Sequence, residues 1–331
     1  MEKRPSRKSG LHMTTHKALL GPGQVEQKLK VGKWELSFTH LDKLYWPKEK
    51  IAKRDLLNYY HAVAEFILPY LRNRCHSLNR FPNGIEGLSF FQKDVTGKVP
   101  AWLTRYTYVN ESDGEKREFL VCTDEASLLY MANLGCIEMN PLHSRIKSPD
   151  NPDWCILDLD PDDNPFDQVV EVALAVKNFL DTLGIPCCCK TSGATGMHLY
   201  VPLGARYHYD QSRQFAELVA RQIHRQLPAI TSVERNPARR RGKIYLDFLQ
   251  NGLNQTVAAP YSLRPKPGAT VSTPLHWEEV KKGLKKDRFT MNNTLDRVRH
   301  EGDVFKPVLG KGINLEQAVR DLRDLENGKN S

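Results

Sequence analysis

No apolar run in this sequence approaches the roughly 20 residues needed to span a bilayer, which speaks against a transmembrane helix. The opening stretch MEKRPSRKSGLHMTTHK has no apolar core of the kind a secretory signal requires, so a cytoplasmic location is expected. Cysteine occurs 7 times, an odd number, and the CxxC spacing that would suit a zinc site is missing. A secreted disulfide framework is equally unsupported, and the thiols are expected to be reduced. There is no internal repeat, and strand-like and helix-like segments do not alternate regularly, which leaves α+β or mixed α/β as the fold class.

What is present is a chain of 331 residues, 40% of them hydrophobic, enough for a substantial core in one large domain or two ordinary ones. Lys and Arg number 48 against 39 Asp and Glu, and the resulting +9 favours an anionic partner such as nucleic acid. Residues 1–28 are rich in Lys, Arg, Ser and Gly without periodicity and read as a flexible basic tail or linker, leaving 29–331 as the folded domain.

Within that domain, ELSFTHLDKLYWP reads as a strand and turn. In AKRDLLNYYHAVAEFILPYLRNR, Leu56, Leu57, Tyr60, Val63, Ala64, Ile67 and Leu71 recur at helical spacing. GLSFFQKDV has a strand-like bias, and because adjacent strand residues point to opposite faces, one of Phe90 and Phe91 is expected in the core. TDEASLLYMANLG predicts a short helix with Thr123 as N-cap and Gly135 as its stop. NPFDQVVEVALAVKNFLDTLG predicts a longer one, with Asn164 capping, Pro165 at the first helical position and Gly184 at the end. Strands follow around CCCKTSG, MHLYVPL and GKIYLDFL, and helices at DQSRQFAELVARQIHRQL and NLEQAVRDLRDLENG. Cys187 and Cys189 share one strand face and read as small core residues.

The stretch DWCILDLDPDD ends an apolar run with two acids one position apart. In an extended strand Asp158 and Asp160 face one side while Leu157 and Leu159 pack on the other. Two neighbouring carboxylates in a partly dry site repel, and a divalent cation between them resolves the conflict. Asp247, inside the apolar strand KIYLDFL, should likewise be paired or metal-bound. Three strand-borne carboxylates around two metal ions suit phosphoryl or nucleotidyl transfer. The DxD pattern also fits a phosphohydrolase with Asp158 as nucleophile, a sugar transferase, or carboxylates that cap the next helix. The glycines of TSGATGMHLYVPL suggest a turn whose N–H groups approach phosphate oxygens, with Ser192 and His198 offered to the same ligand. A plain glycine-rich hairpin is the alternative.

Taken together, ILDLDPDD, KTSGATGMHLYVPL, YLDFLQNGLNQTVAAPYSLRPKPGATVSTPLHWEEV and THLDKLYWPKEKIAK resemble the polymerase domain of bacterial ligase D, within the archaeo-eukaryotic primase superfamily used in non-homologous end joining. The resemblance runs from about residue 29 to the end. It implies a primase-type α+β fold with a central mixed or antiparallel sheet flanked by helices, and Asp158, Asp160 and Asp247 as ligands of two Mn2+ (or Mg2+) ions. It implies that Ser192, His198, Arg240 and Arg264 contact the nucleoside triphosphate, where planar guanidinium groups suit phosphate oxygens. Lys43 and Lys53 match a pair that binds the 5′-phosphate across a DNA gap or break. Arg80, Phe90, Phe91 and Lys93 would serve DNA as well, the phenylalanines by stacking on the template.

Two positions depart from the family pattern. Asn140 stands where many relatives have a histidine, and Thr195 replaces a lysine, so positive charge near the triphosphate is reduced; His143 or Arg145 could compensate. The resemblance further implies ribonucleotide preference, gap filling, untemplated addition, the end-binding protein Ku and a ligase domain as partners, and a place in the bacterial nucleoid. It implies a monomer in solution, with DNA able to bring two copies together. A KxDG nucleotidylation site of a ligase is missing. A non-catalytic DNA-end bridging module is the remaining competitor.

Overall fold

The computed structural model describes residues 18–109, 113–326 and 328. Its central sheet has six strands in the spatial order Thr231–Ser232, Ile244–Asp247, Trp154–Asp160, Met197–Pro202, Cys188–Thr191, Pro274–Leu275. All neighbours are antiparallel except the first two, which run parallel, so the sheet is mixed as expected of a primase-type domain.

The alternation of side chains along Trp154–Asp160 separates two cores. Cys155, Leu157 and Leu159 enter one, together with Leu199, Val201, Ile244 and Leu246 from adjacent strands. That face is covered by the helices Phe166–Thr182, Tyr209–Gln226 and Leu315–Glu326, whose Val169, Phe215 and Leu322 reach the same cluster. Trp154, Ile156 and Tyr200 point the other way, into a core built on the helices Lys53–Leu71 and Glu125–Asn133. Period-two alternation thus turns one apolar run into a wall between two hydrophobic layers. The triple cysteine follows the same rule, with Cys187 and Cys189 in the first core and Cys188 against the second. The cysteines are free thiols.

The seven residues expected at helical spacing in Lys53–Leu71 are all buried. Two helix starts differ from expectation by one position. Asp124, not Thr123, is the N-cap of Glu125–Asn133: its carboxylate accepts from the Ser127 N–H at 2.9 Å, and a carboxylate satisfies that orphan donor at least as well as a hydroxyl. Pro165 occupies the N-cap of Phe166–Thr182, and Asn164 instead donates to Gln168 Oε1 at 2.8 Å.

Phe90–Gln92 forms a two-stranded ribbon with Leu78–Arg80, and both phenylalanines are exposed, Phe90 by 48% and Phe91 by 65%. This corrects the expectation that one would be core. Alternation buries a residue only where a second layer covers that face, and the outer strand of this ribbon has none.

Of the expected tail, residues 1–17 lie outside the described residues. Leu20 is buried, exchanges two hydrogen bonds with the Asn58 side chain, and is followed by a strand from Gln27. Among the described residues no helix is long and apolar enough to cross a membrane.

Candidate active site

The register of the central sheet decides where the acids stand. Asp158 lies directly opposite Asp247 across the antiparallel pair, and Asp160 lies opposite Tyr245. Residues two apart share a face, so all three carboxylates project from the side that carries Trp154 and Ile156, at the end where the second core stops. Asp158 and Asp247 are half-buried and Asp160 is exposed. Burial, then the charges of Asp247 and Asp160, push Asp158 from 3.8 up to about 7. Burial raises Asp247 and Asp160 as well.

Each acid meets a separate protein partner. Asp158 Oδ1 is 3.4 Å from His198 Nε2, Asp160 Oδ2 is 3.6 Å from an Arg240 guanidinium nitrogen, and Asp247 accepts from the Leu249 N–H at 2.9 Å and from Gln250 Nε2 at 3.0 Å. Among the described residues no three His, Cys, Asp or Glu side chains form a ready metal cluster. The strands bring the three acids together, whereas their side chains are turned to local donors. As a donor set they fit a divalent ion: the ligands are hard oxygens, and burial with the like charge of the opposed Asp247 raises Asp158 despite nearby Lys190 and Arg264.

Around Asp158 a cleft of about 190 Å³ is lined by Phe91, Glu138, Asn140, His198, Gln250 and Arg264, among others. Arg264 is held from behind by Glu138 at 2.9 Å and by the Ser192 carbonyl. Asn140 is buried, and its amide donates to the same Glu138 at 3.1 Å. His198 sits across the strand pair from Asp158 and from Lys190 on the other side. Burial, with Lys190 and Arg264 close by, holds His198 well below its usual pKa and therefore neutral.

The glycine-rich turn is organised differently from the sequence expectation. Ser192 Oγ accepts from the N–H groups of Ala194 and Gly196, each at 3.0 Å, so these two donors close the turn and do not face a phosphate. Gly196 is required by space: a Cβ there would stand 1.9 Å from the Leu159 carbonyl oxygen. Gly193 has φ +70° and packs against Arg264 and the Val271–Ser272 backbone. Thr195 is exposed at the tip.

The Arg240 guanidinium carbon stands 3.8 Å from the Tyr245 ring centroid, and the group also donates to the Glu234 and Arg235 carbonyls. Neither His143 nor Arg145 supplies the missing positive charge. His143 is buried between Trp154 Nε1 and the Gln250 carbonyl, and burial pulls it down to about 3; Arg145 pairs with Asp153 at 3.0 Å.

A second cluster unites Lys43, Lys53 and Arg80. Lys53 is only 4% exposed, donates to the Thr39 carbonyl at 2.9 Å, and is lowered from 10.5 to about 8 by burial and then by the charges of Lys43 and Arg80. Lys43 rests on the Pro82 carbonyl and Asn83 Oδ1. Arg80 donates to the Leu134 carbonyl and Gln92, and its guanidinium lies 5.3 Å from the Phe90 ring centroid. Among the described residues no carboxylate pairs with these three cations, an arrangement suited to an anion. Lys93 is exposed two positions beyond Phe91.

Sequence reasoning missed Glu138, Lys190 and Gln250. A charged Lys190 inside an otherwise apolar strand was the one available signal among them.

Comparison with known proteins agrees with this architecture. A family model described as the LigD primase-polymerase domain matches residues 52–305. The bifunctional non-homologous end joining protein LigD of Bacillus subtilis is 35% identical over 273 residues, covering 82% of this chain and 44% of that protein. The multifunctional non-homologous end joining DNA repair protein LigD of Mycobacterium tuberculosis is 28% identical over 280 residues, covering 82% and 36% respectively. The chain therefore spans less than half the length of these relatives. A solved structure, the polymerase domain of M. tuberculosis ligase D in complex with DNA, matches with a TM-score of 0.77 and 27% identity over 84% of this chain and 99% of that one.

Fold and site define a primase-type nucleotidyltransferase. The chain belongs to the LigD primase-polymerase domain family. A polymerase family of this kind depends in general on divalent metal.

Proposed function

We propose that this chain extends DNA 3′ ends and fills gaps during end-joining repair of double-strand breaks, taking nucleoside triphosphates and preferring ribonucleotides. The observation that carries the reading is the pairing of Asp158 with Asp247, with Asp160 on the same face, in a domain of this family. Asp158, Asp160 and Asp247 would hold two divalent ions, Mn2+ by preference, which when bound activate the primer 3′-hydroxyl and steady the leaving pyrophosphate.

The chain's own side chains orient the nucleotide. Arg264, braced by Glu138, and Arg240, braced by Tyr245, present guanidinium groups to the triphosphate, and His198 adds a neutral ring. Ser192 stiffens the turn through its two accepted hydrogen bonds, leaving its hydroxyl proton for a further partner. Primer extension on gapped DNA with ribo- and deoxyribonucleotides, Mn2+ and Mg2+ tested separately, checks this reading. No incorporation with either metal would sink it.

Lys43, Lys53 and Arg80 are proposed to take the 5′-phosphate on the far side of the gap. That contact requires a charged Lys53. Because its folded pKa of about 8 lies below the ordinary 10.5, the native state releases the proton first. Buried charge therefore lowers stability below pH about 8, and the penalty lifts as pH rises from there towards 10.5. Phosphate binding runs the opposite way: the advantage of 5′-phosphorylated over dephosphorylated gapped DNA should shrink between about pH 7 and about pH 9.5. Lys53→Ala should remove that advantage at about pH 7, roughly tenfold in affinity, and should change little at about pH 9.5, where the wild-type lysine is already largely neutral. Equal losses on both DNAs would reject the assignment.

Phe91, exposed at the mouth of the cleft, is proposed to stack on the template. Phe91→Ala should weaken binding of template strands by roughly 1–3 kcal/mol whatever their sequence. Fluorescence anisotropy with templates of differing composition tests this, and a loss confined to one sequence would argue for base-specific contact instead. Ku, a ligase domain and DNA-mediated pairing of two copies remain proposals that follow from the relatives' role in end joining.

A further inference from the structure

Lys190 is fully buried, yet it is tied into the site. It stands opposite His198 in the register of Cys188–Thr191 with Met197–Pro202. Its Nζ lies 2.6 Å from His198 Nδ1, 2.9 Å from the Ala258 carbonyl and 2.6 Å from Ser272 Oγ. Ser272 spends its own proton on the Thr191 carbonyl at 2.9 Å, so towards Lys190 it accepts. A lysine ammonium has three N–H donors and no acceptor, and here it meets three acceptors.

With Nζ donating to Nδ1, the imidazole must carry its single proton on Nε2. Nε2 is the ring atom that faces Asp158, at 3.4 Å, in the cleft that also holds Arg264. The opposite tautomer would set a nitrogen lone pair against a carboxylate. It would also require Lys190 to be an uncharged amine that accepts from Nδ1. Burial and the nearby Arg264 favour that amine, whereas Asp158 and the ring of three acceptors favour the ammonium.

We propose that Lys190 is a positioning residue that locks His198 as the Nε2–H tautomer, so that the histidine offers the nucleotide's anionic oxygens a hydrogen-bond donor and never a lone pair. The identity of the oxygens rests on the polymerase reading; the tautomer does not. Without the lock only Asp158 would still bias the ring, the Nδ1–H tautomer would become populated, and the contact with the ligand would weaken rather than the chemistry at the metal ligands.

The experiment is 15N NMR of histidine-labelled protein, with His198 assigned by its disappearance in His198→Asn, combined with steady-state primer extension. Wild-type His198 should show a protonated Nε2 and a bare Nδ1. In Lys190→Met, of similar length but without donors, that preference should be lost and the nucleotide KM should rise about tenfold with kcat changed less than about threefold. Placed in a His198→Asn background, Lys190→Met should add little further, because the residue acts through the ring. A wild-type spectrum with the proton on Nδ1 overturns the proposal even if the lysine variant does not fold. So does Lys190→Met that keeps the Nε2 proton or leaves KM unchanged, and so does a full additive loss in the double variant. If wild-type protein extends no primer, the polymerase reading fails while the tautomer result stands by itself.

Discussion

Asp158→Asn should abolish metal-dependent primer extension while leaving the protein at least as stable as the wild type. The amide keeps the size of the side chain but removes the anion that, with Asp247 and Asp160, would hold the divalent ions. Losing that stabilisation should lower the rate by on the order of a thousandfold or more, equivalent to roughly 4 kcal/mol of barrier. Stability moves the other way, because Asp158 and Asp247 are directly opposed across the strands and like charges so placed repel. Relieving them should contribute about 0.2–1 kcal/mol in metal-free buffer. Extension assays on gapped DNA, paired with thermal melts in EDTA, measure both effects. Extension at wild-type rates by Asp158→Asn would remove the acids from the mechanism. A melt well below wild type would mean that Asp158 is a structural partner of His198 first.

Gly196→Ala should be the most damaging single methyl group in the site. The added Cβ would stand 1.9 Å from the Leu159 carbonyl oxygen and 3.2 Å from Pro161 Cδ, both backbone-bound neighbours that cannot swing aside. The strand carrying Leu159 must shift, and Leu159 lies between Asp158 and Asp160, so displacement reaches both acids. Overpacking of this severity should destabilise by roughly 3 kcal/mol or more, lowering Tm by roughly 4 °C or more for a chain of this size. Thr195→Gly, one residue away at the exposed tip, is the control and should cost less than about 1 kcal/mol. An alanine variant melting at the wild-type temperature would show that the turn and strand do not pack as described.

Some of this site could be read from the chain and some could not, for identifiable reasons. That Asp158 and Asp160 share a face, opposite to Leu157 and Leu159, follows from strand periodicity, and the burial of both leucines agrees. The helical spacing of Lys53–Leu71 was equally plain, because seven apolar positions mark one stripe. Phe90 and Phe91 defeated the same rule, since alternation says which residues share a face but not whether anything covers it. The glycine turn shows a related limit: spacing says that the backbone can approach something closely, and for Gly196 that neighbour is the Leu159 carbonyl.

Local sequence, then, determined the strands, the helices and the chemistry that the acids and arginines could perform, because those depend on periods of two and 3.6 residues and on side-chain type. Only the tertiary structure decided which acids meet. Asp158 and Asp247 are 89 positions apart and become neighbours through the register of two antiparallel strands. Lys190 and Ser272, or Lys53 and Arg80, likewise become partners through packing between distant segments. Such meetings rest on long-range contacts that no short window of sequence contains, which is why the linear reading passed over Glu138, Lys190 and Gln250 and could name Lys53 and Arg80 only by resemblance.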